Sequence, residues 1–234
     1  MKKIISYVTS ILFLTSLQCQ IVQNSAEGLN ELDFFIHLNN TKYDNVEGSK
    51  YLFDEFRPAK INTIKTTHLV RFDVLEHIIE LKKSESEIMG LSKNKTYSVT
   101  LLDGSNRIFL TKDFQDDNKQ VKNGIFEQLH QNQKFILFKR SRIKFQEAKP
   151  IKSSYEKAVP AKFIPLEDVF YVSFRKNEEY SGLIKVPQKK KALKLFFGKY
   201  FAKIEKLVKE EKLKFDLEQD LIKIFNYYVE IRKE

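Results

Sequence analysis

The chain is short of several residue types on which common chemistries depend. Of its 234 residues one is a cysteine, Cys19, seven are glycine and four are histidine. With no second cysteine the body forms no internal disulfide, offers no thiol nucleophile and supplies no thiolate set for zinc or an iron–sulfur cluster. Seven glycines are few for a backbone that cradles phosphates. No Walker loop, dinucleotide fingerprint or Gly-x-Ser-x-Gly elbow occurs. His37, His68, His77 and His130 are scattered, without metal-ligand spacing, and read as surface or strand-face residues. The adjacent acids Asp54-Glu55, Asp116-Asp117, Glu178-Glu179 and Glu210-Glu211 lack the separation of a glycosidase pair. Asp113, Asp116 and Asp117 beside Asn118 do not have the spacing of an EF-hand and read as a solvated loop. No catalytic, cofactor-binding or metal-ligating residue is assigned, and no cofactor is expected.

Long hydrophobic runs are also missing. Ile4 to Leu17 is apolar apart from small polar residues, and its longest unbroken stretch is Ile11–Leu14. A bilayer span needs about 20 apolar residues; a signal peptide needs a core of only about 7–15 behind a positive start. Met1-Lys2-Lys3 provides that start. Residues 1–19 are therefore expected to be a cleaved signal peptide, with the mature chain in the periplasm, at the outer membrane or outside the cell. No transmembrane helix is expected in the mature part. Two fates are open to Cys19: cleavage after it, leaving Gln20 first, or lipidation as the new first residue. Gln18 stands where a lipidation motif has a small residue, which favours ordinary cleavage.

What the chain has in plenty is aromatic and basic. Twenty Phe and ten Tyr supply core area without disulfides. The formal charge is +10, and removing Lys2 and Lys3 with an acid-free leader leaves +8. Such a protein is suited to contact with anionic surfaces such as lipopolysaccharide, polysaccharide or phospholipid headgroups; a lysine-rich solvated surface is the plainer reading. Nucleic acid is not expected as a partner outside the cytoplasm.

Residues 20–47 form a polar N-terminal segment, with one apolar cluster (Leu32, Phe34, Phe35, Ile36) that suits a short helix or a first strand. Residues 48–186 form a β-rich domain, because apolar residues there recur mostly with period two. Val70, Phe72 and Val74 alternate with Arg71 and Asp73; Ile79 and Leu81 with Glu80 and Lys82; Tyr97, Val99 and Leu101 with Ser98 and Thr100. Asp103-Gly104 signals a hairpin returning through Arg107–Thr111. Gly124–Leu129 and Phe135–Phe145 suggest another, the second strand interrupted at Lys139 and Ser141. Lys149–Pro165 reads as an irregular connection, and Val169–Phe174 with Leu183–Val186 as a final pair.

Residues 187–234 change to helical period. Lys189–Phe197 fits one helix broken at Gly198, and Phe201, Ile204, Leu207 and Val208 share a face of the next. Asp216 and Gln219 have capping-box spacing ahead of the stripe Leu217, Leu221, Ile224, Phe225 and Tyr228. Lys189-Lys190-Lys191 could dock such a helix on a membrane, but two successive stripes point to packing on the β-domain. The expected class is α+β: an antiparallel meander, sandwich or partly open barrel, then two or three amphipathic helices.

Gly48-Ser49-Lys50-Tyr51-Leu52-Phe53-Asp54-Glu55-Phe56 followed by a basic strand, Val70-Arg71-Phe72-Asp73 running into Glu76-His77-Ile78-Ile79-Glu80, Gly124–Leu129 and the tail from Glu218 to Tyr228 together resemble a group of uncharacterised exported proteins common in Bacteroidetes. Where such proteins tend to read Arg-Tyr-Asn, this chain has Arg71-Phe72-Asp73. The resemblance implies compartment and architecture, and no activity. The leading expectation is an exported, non-enzymatic binding or structural module of the bacterial envelope whose partner is unknown. A carrier or sensor holding an apolar ligand between sheet and helices is the alternative, and a hydrolase whose site is assembled only by folding is the third.

Overall fold

The computed structural model describes residues 35–37, 43, 46–62, 64–116, 118–149 and 158–232. The signal segment and Cys19 lie outside the described residues. The strands are β1 (Phe35–His37), β2 (Arg57–Ile61), β3 (Thr67–Asp73), β4 (Ile78–Lys82), β5 (Ile88–Leu91), β6 (Ser98–Leu101), β7 (Ile108–Gln115), β8 (Val121–Gln131), β9 (Phe135–Gln146), β10 (Lys162–Lys176), β11 (Glu179–Tyr180) and β12 (Ile184–Lys185). They form one sheet in the order β1-β5-β4-β3-β2-β6-β7-β8-β9-β10-β11, with β12 also on β10. Neighbouring strands pair antiparallel throughout that order. Phe35 and Ile36 of the apolar cluster lie in the first strand; Leu32 and Phe34 lie outside the described residues. The architecture is α+β, a strand-rich antiparallel sheet that is not closed, since among the described residues no pairing joins β1 to β11.

The sheet is curled at its first half. β5 and β6 lie on opposite sides of β2–β4 in the sheet order, yet only Ser92–Tyr97 connect them. Leu91 of β5, Leu81 of β4, Val70 and Phe72 of β3, Ala59 of β2, Val99 of β6 and Phe109 of β7 accordingly share one buried cluster. A strap from residue 46 to 54 runs over this core. Glu47 bridges to Lys162 of β10, and Tyr51 bridges to Asp73 of β3. Leu52 and Phe53 pack on the cluster from above. Gly48 lets the strap turn: its φ is +83°, and a Cβ there would lie 3.2 Å from the carbonyl oxygen of Phe163. Only glycine takes both constraints without strain.

The second half of the sheet is a long hairpin ladder whose two faces are buried differently. Phe135 and Leu137 of β9, with Phe170 and Val172 of β10, face the C-terminal helices. Ile136, Phe138, Val169 and Tyr171 face the other way, against Phe114 and Phe126. Both sets follow from period-two alternation. The helices are α1 (Lys190–Phe197), a 3₁₀ turn (Gly198–Tyr200), α2 (Phe201–Glu210) and α3 (Glu218–Ile231). Leu193, Phe197, Ile204, Leu221, Ile224 and Phe225 close the seam with the sheet. None of the helices among the described residues is long and apolar enough to cross a membrane.

The break at Gly198 holds: α1 ends at Phe197, Gly198 is its C-cap at φ +54°, and a 3₁₀ turn leads into α2. Two local expectations are corrected. The capping box does not form: Leu217, not Asp216, is the N-cap of α3, without a side-chain bond. Asp220 instead accepts the Lys214 amide at 2.9 Å. Lys149–Pro165 is not irregular to its end, since Lys162–Pro165 already belong to β10 and pair with Ile143–Gln146.

Candidate functional site

Two ion-pair networks hold the fold, and they consume most of the buried charge. In the first, Arg71 of β3 grips Glu80 of β4 through Nε at 3.0 Å and Nη2 at 2.7 Å. The Tyr51 hydroxyl accepts from Arg71 Nη2 at 3.0 Å and donates to Glu80 at 3.3 Å. Lys50 Nζ reaches Asp73 at 2.5 Å. The Arg71 guanidinium lies 3.6 Å from the Tyr51 ring centre and 4.4 Å from that of Phe56. Lys50 and Tyr51 come from the strap and the others from the β3–β4 hairpin. The network therefore joins the Gly48–Phe56 and Val70–Glu80 segments noted in the sequence.

In the second network Arg107 forks onto Glu127 at 2.5 and 2.7 Å. Lys139 contacts Glu127 at 3.0 Å and also bonds Glu218 at the start of α3. Burial pushes the Glu127 carboxyl up, but hydrogen bonds from Arg107 and Lys139 outweigh it and hold its pKa below the usual value. Lys139, which interrupts the apolar parity of β9, thus ties helix to sheet.

The opposite face of the same strands carries cations with fewer anions. Lys112 of β7, Lys122 of β8, and Arg140 and Arg142 of β9 share the parity of Phe114, Phe126 and Phe138. Lys112 Nζ lies 5.4 Å from the Phe138 ring centre, and burial lowers its pKa. Arg140 stacks 4.2 Å over Phe114 and 6.0 Å from Tyr171. No hydrogen bond or ion pair engages Arg140 among the described residues, and its buried Nε has no partner. An orphaned donor of this kind costs free energy while no acceptor reaches it. Gly124 makes the platform possible: a Cβ there would sit 2.8 Å from Phe114 Cε1.

Around Arg140 opens a cleft of about 400 Å³ lined by Leu75, Glu76, His77, Lys93, Phe114, Asp116, Lys122, Asn123 and Arg140. The β3–β4 turn, the β7–β8 hairpin and β9 supply its walls. Lys122 pairs with Asp116 at 2.7 Å. Lys93 Nζ bonds the Glu76 backbone carbonyl at 2.5 Å, a partner that leaves its charge uncompensated. The Glu76 carboxylate is engaged by the Tyr43 hydroxyl at 2.7 Å. The three cations of the lining thus exceed its two carboxylates by one charge, and Arg140 is the cation that no acceptor engages.

His77 forms the floor edge, in a left-handed conformation with φ +53°. Burial, then the nearby charges of Arg140 and Lys93, lower its pKa to about 4. The unfolded chain protonates it near 6.5, so folding excludes a proton between those values. Stability is expected to fall by about 3 kcal/mol from this residue as pH drops through that window, with no further loss below it. Asparagine tolerates the same φ. In urea titrations at pH 7 and 4.5, His77→Asn is expected to lose less stability than the parent; an equal loss would refute the assignment.

The other histidines do not join the cleft. His68 is buried, with Nε2 2.8 Å from the Thr66 hydroxyl and Nδ1 unpartnered. His130 contacts Asn132 at 3.2 Å near α3, and His37 lies in β1. Asp113 accepts from Asn123, and Asp116 accepts the Asn118 and Gln120 amides; Asp117 lies outside the described residues. No group of three metal-ligating side chains converges among the described residues. Arg140 escaped the sequence reading, although the broken parity at Lys139 and Ser141 marked its neighbourhood. No protein family, curated protein or solved structure matches the chain.

Proposed function

We propose that the protein is an exported, non-enzymatic binding module of the bacterial envelope, which engages a phosphate-bearing lipid surface through the cationic face of β7–β9. The observation that carries this reading is Arg140, fixed on Phe114 and lacking any acceptor in a cleft it shares with Lys93 and Lys122. An excess of cations on one rigid face favours anionic partners and speeds their encounter.

The non-enzymatic part rests on how the buried carboxylates are used. Asp73, Glu80 and Glu127 are each held by a cation, which opposes a role in proton transfer. The apolar-carrier alternative has less support. The cavity bordered by Phe72 and Phe109 measures about 20 Å³, room for one water. The seam between sheet and helices is filled by aromatic rings.

Flotation of the purified protein with vesicles tests the proposal. Binding to vesicles containing phosphatidylglycerol is expected, weakening as salt rises, with little binding to pure phosphatidylcholine. Equal recovery with both lipids, or with neither, would overturn it. Export itself is tested by mass spectrometry of the mature N-terminus, where a start at Gln20 or a lipidated Cys19 is expected and an intact Met1 would contradict it.

A further inference from the structure

We infer that the cleft beside Arg140 is a binding site for a single phosphate group, either inorganic phosphate or the phosphomonoester of an envelope lipid. This rests on the proposed function for its biological setting, but the geometry stands apart from it. Three cations line the cleft: Arg140, Lys93 and Lys122. Asp116 accounts for Lys122, and no carboxylate accounts for Arg140 or Lys93. With the Asp116 and Glu76 carboxylates counted against the three cations, the lining keeps one net positive charge, which attracts an anion.

The guanidinium is also prepared for such a group. It is planar, and its paired N–H donors suit the spacing of two phosphate oxygens. Stacking on Phe114, seated in turn over the bare Cα of Gly124, restricts its rotation before any ligand arrives. Its buried Nε lacks an acceptor, and no ion pair engages the guanidinium among the described residues. Lys93 reaches the same cleft from the segment after β5 and adds a point charge held at the Glu76 carbonyl. His77 is neutral at pH 7, so it contributes a wall and no charge. Of the two carboxylates facing the cleft, Asp116 is paired with Lys122, whereas Glu76 accepts from the neutral Tyr43 hydroxyl and keeps its charge.

The test is a phosphate titration of the purified protein at pH 7 and constant ionic strength, followed through the Arg140 Nε–H resonance and the amides of Phe114 and Lys122. Saturable shifts are expected with sodium phosphate and not with acetate or chloride. Arg140→Gln is expected to abolish saturation, and Lys93→Gln to weaken affinity about tenfold. Arg175→Gln, in a separate basic groove on β10, is expected to change nothing. Should Arg140→Gln fail to fold, the Lys93 variant reports on the same site. Non-saturating shifts, equal shifts with acetate, or indifference to both variants would overturn the inference. If phosphate fails while vesicle binding persists, the site is wrong and the envelope reading stands; if both fail, neither stands. Displacement of phosphate by vesicles containing phosphatidic acid assigns the group to a lipid, and saturation that such vesicles leave intact assigns it to free phosphate.

Discussion

Replacing Phe225 with alanine is expected to destabilise the fold by about 3–5 kcal/mol, the range for deleting a fully buried aromatic side chain. Phe225 has no exposed surface. Its ring meets those of Phe135, Phe174, Phe196, Phe197 and Tyr228 at centroid distances of 5.8 to 6.5 Å. The sheet contributes Phe135 and Phe174, while α1 contributes Phe196 and Phe197. One ring therefore joins three elements, and its loss leaves a void that the neighbouring rings fill only by leaving their rotamers. Leu195, on the outer side of α1 and 79 % exposed, is the matched control, and its alanine variant is expected to unfold at the parent urea concentration. Equal midpoints for Phe225→Ala and the parent would mean that the helices do not form one cooperative unit with the sheet.

The second large effect is expected at Glu80. Its side chain is wholly buried, and Arg71, Tyr51 and Lys50 converge on it. Glu80→Ala leaves Arg71, whose side chain is only 14 % exposed, without its main acceptor. Breaking a buried pair from one side typically costs about 3–5 kcal/mol, because the remaining charge stays desolvated. Replacing both partners, as Arg71→Met with Glu80→Leu, removes the stranded charge and is expected to recover most of that loss. Chemical denaturation of the three variants measures this. A double variant no better than Glu80→Ala would show that the network is held by shape and not by charge pairing.

These two sites also mark where the sequence could be read and where it could not. The helical stripe containing Phe225 was legible because apolar residues spaced by 3.6 can satisfy themselves only by facing a core. Strands β3, β4, β6, β8 and β9 were legible through period two. By the same rule Asp73 and Glu80 read as solvent-facing, yet they are 1 % and 0 % exposed. What buries them is the strap bearing Lys50 and Tyr51, 23 and 29 residues away in sequence, and local periodicity carries no information about it. The basic strand expected after Phe56 is β2, whereas β5 was hidden by its four-residue length and the first part of β10 by Pro165. Asp216 and Gln219 had capping spacing, but α3 begins after an extended Leu217. Arg140 carries no motif. Its meaning comes from Phe114 and Gly124 on neighbouring strands, brought under it by the register of β7 with β8.

The central claim is that the β7–β9 face, and not general basicity, makes the protein bind an anionic surface. Two triple variants that remove the same number of positive charges test it most directly. One converts Lys122, Arg140 and Arg142 to glutamine on that face. The other converts Lys134, Arg175 and Lys176 to glutamine along the groove at the far end of β10. In flotation with phosphatidylglycerol vesicles at fixed salt, the first is expected to lose binding by at least tenfold while the second keeps it. Equal loss in both variants, or loss only in the second, would contradict the account.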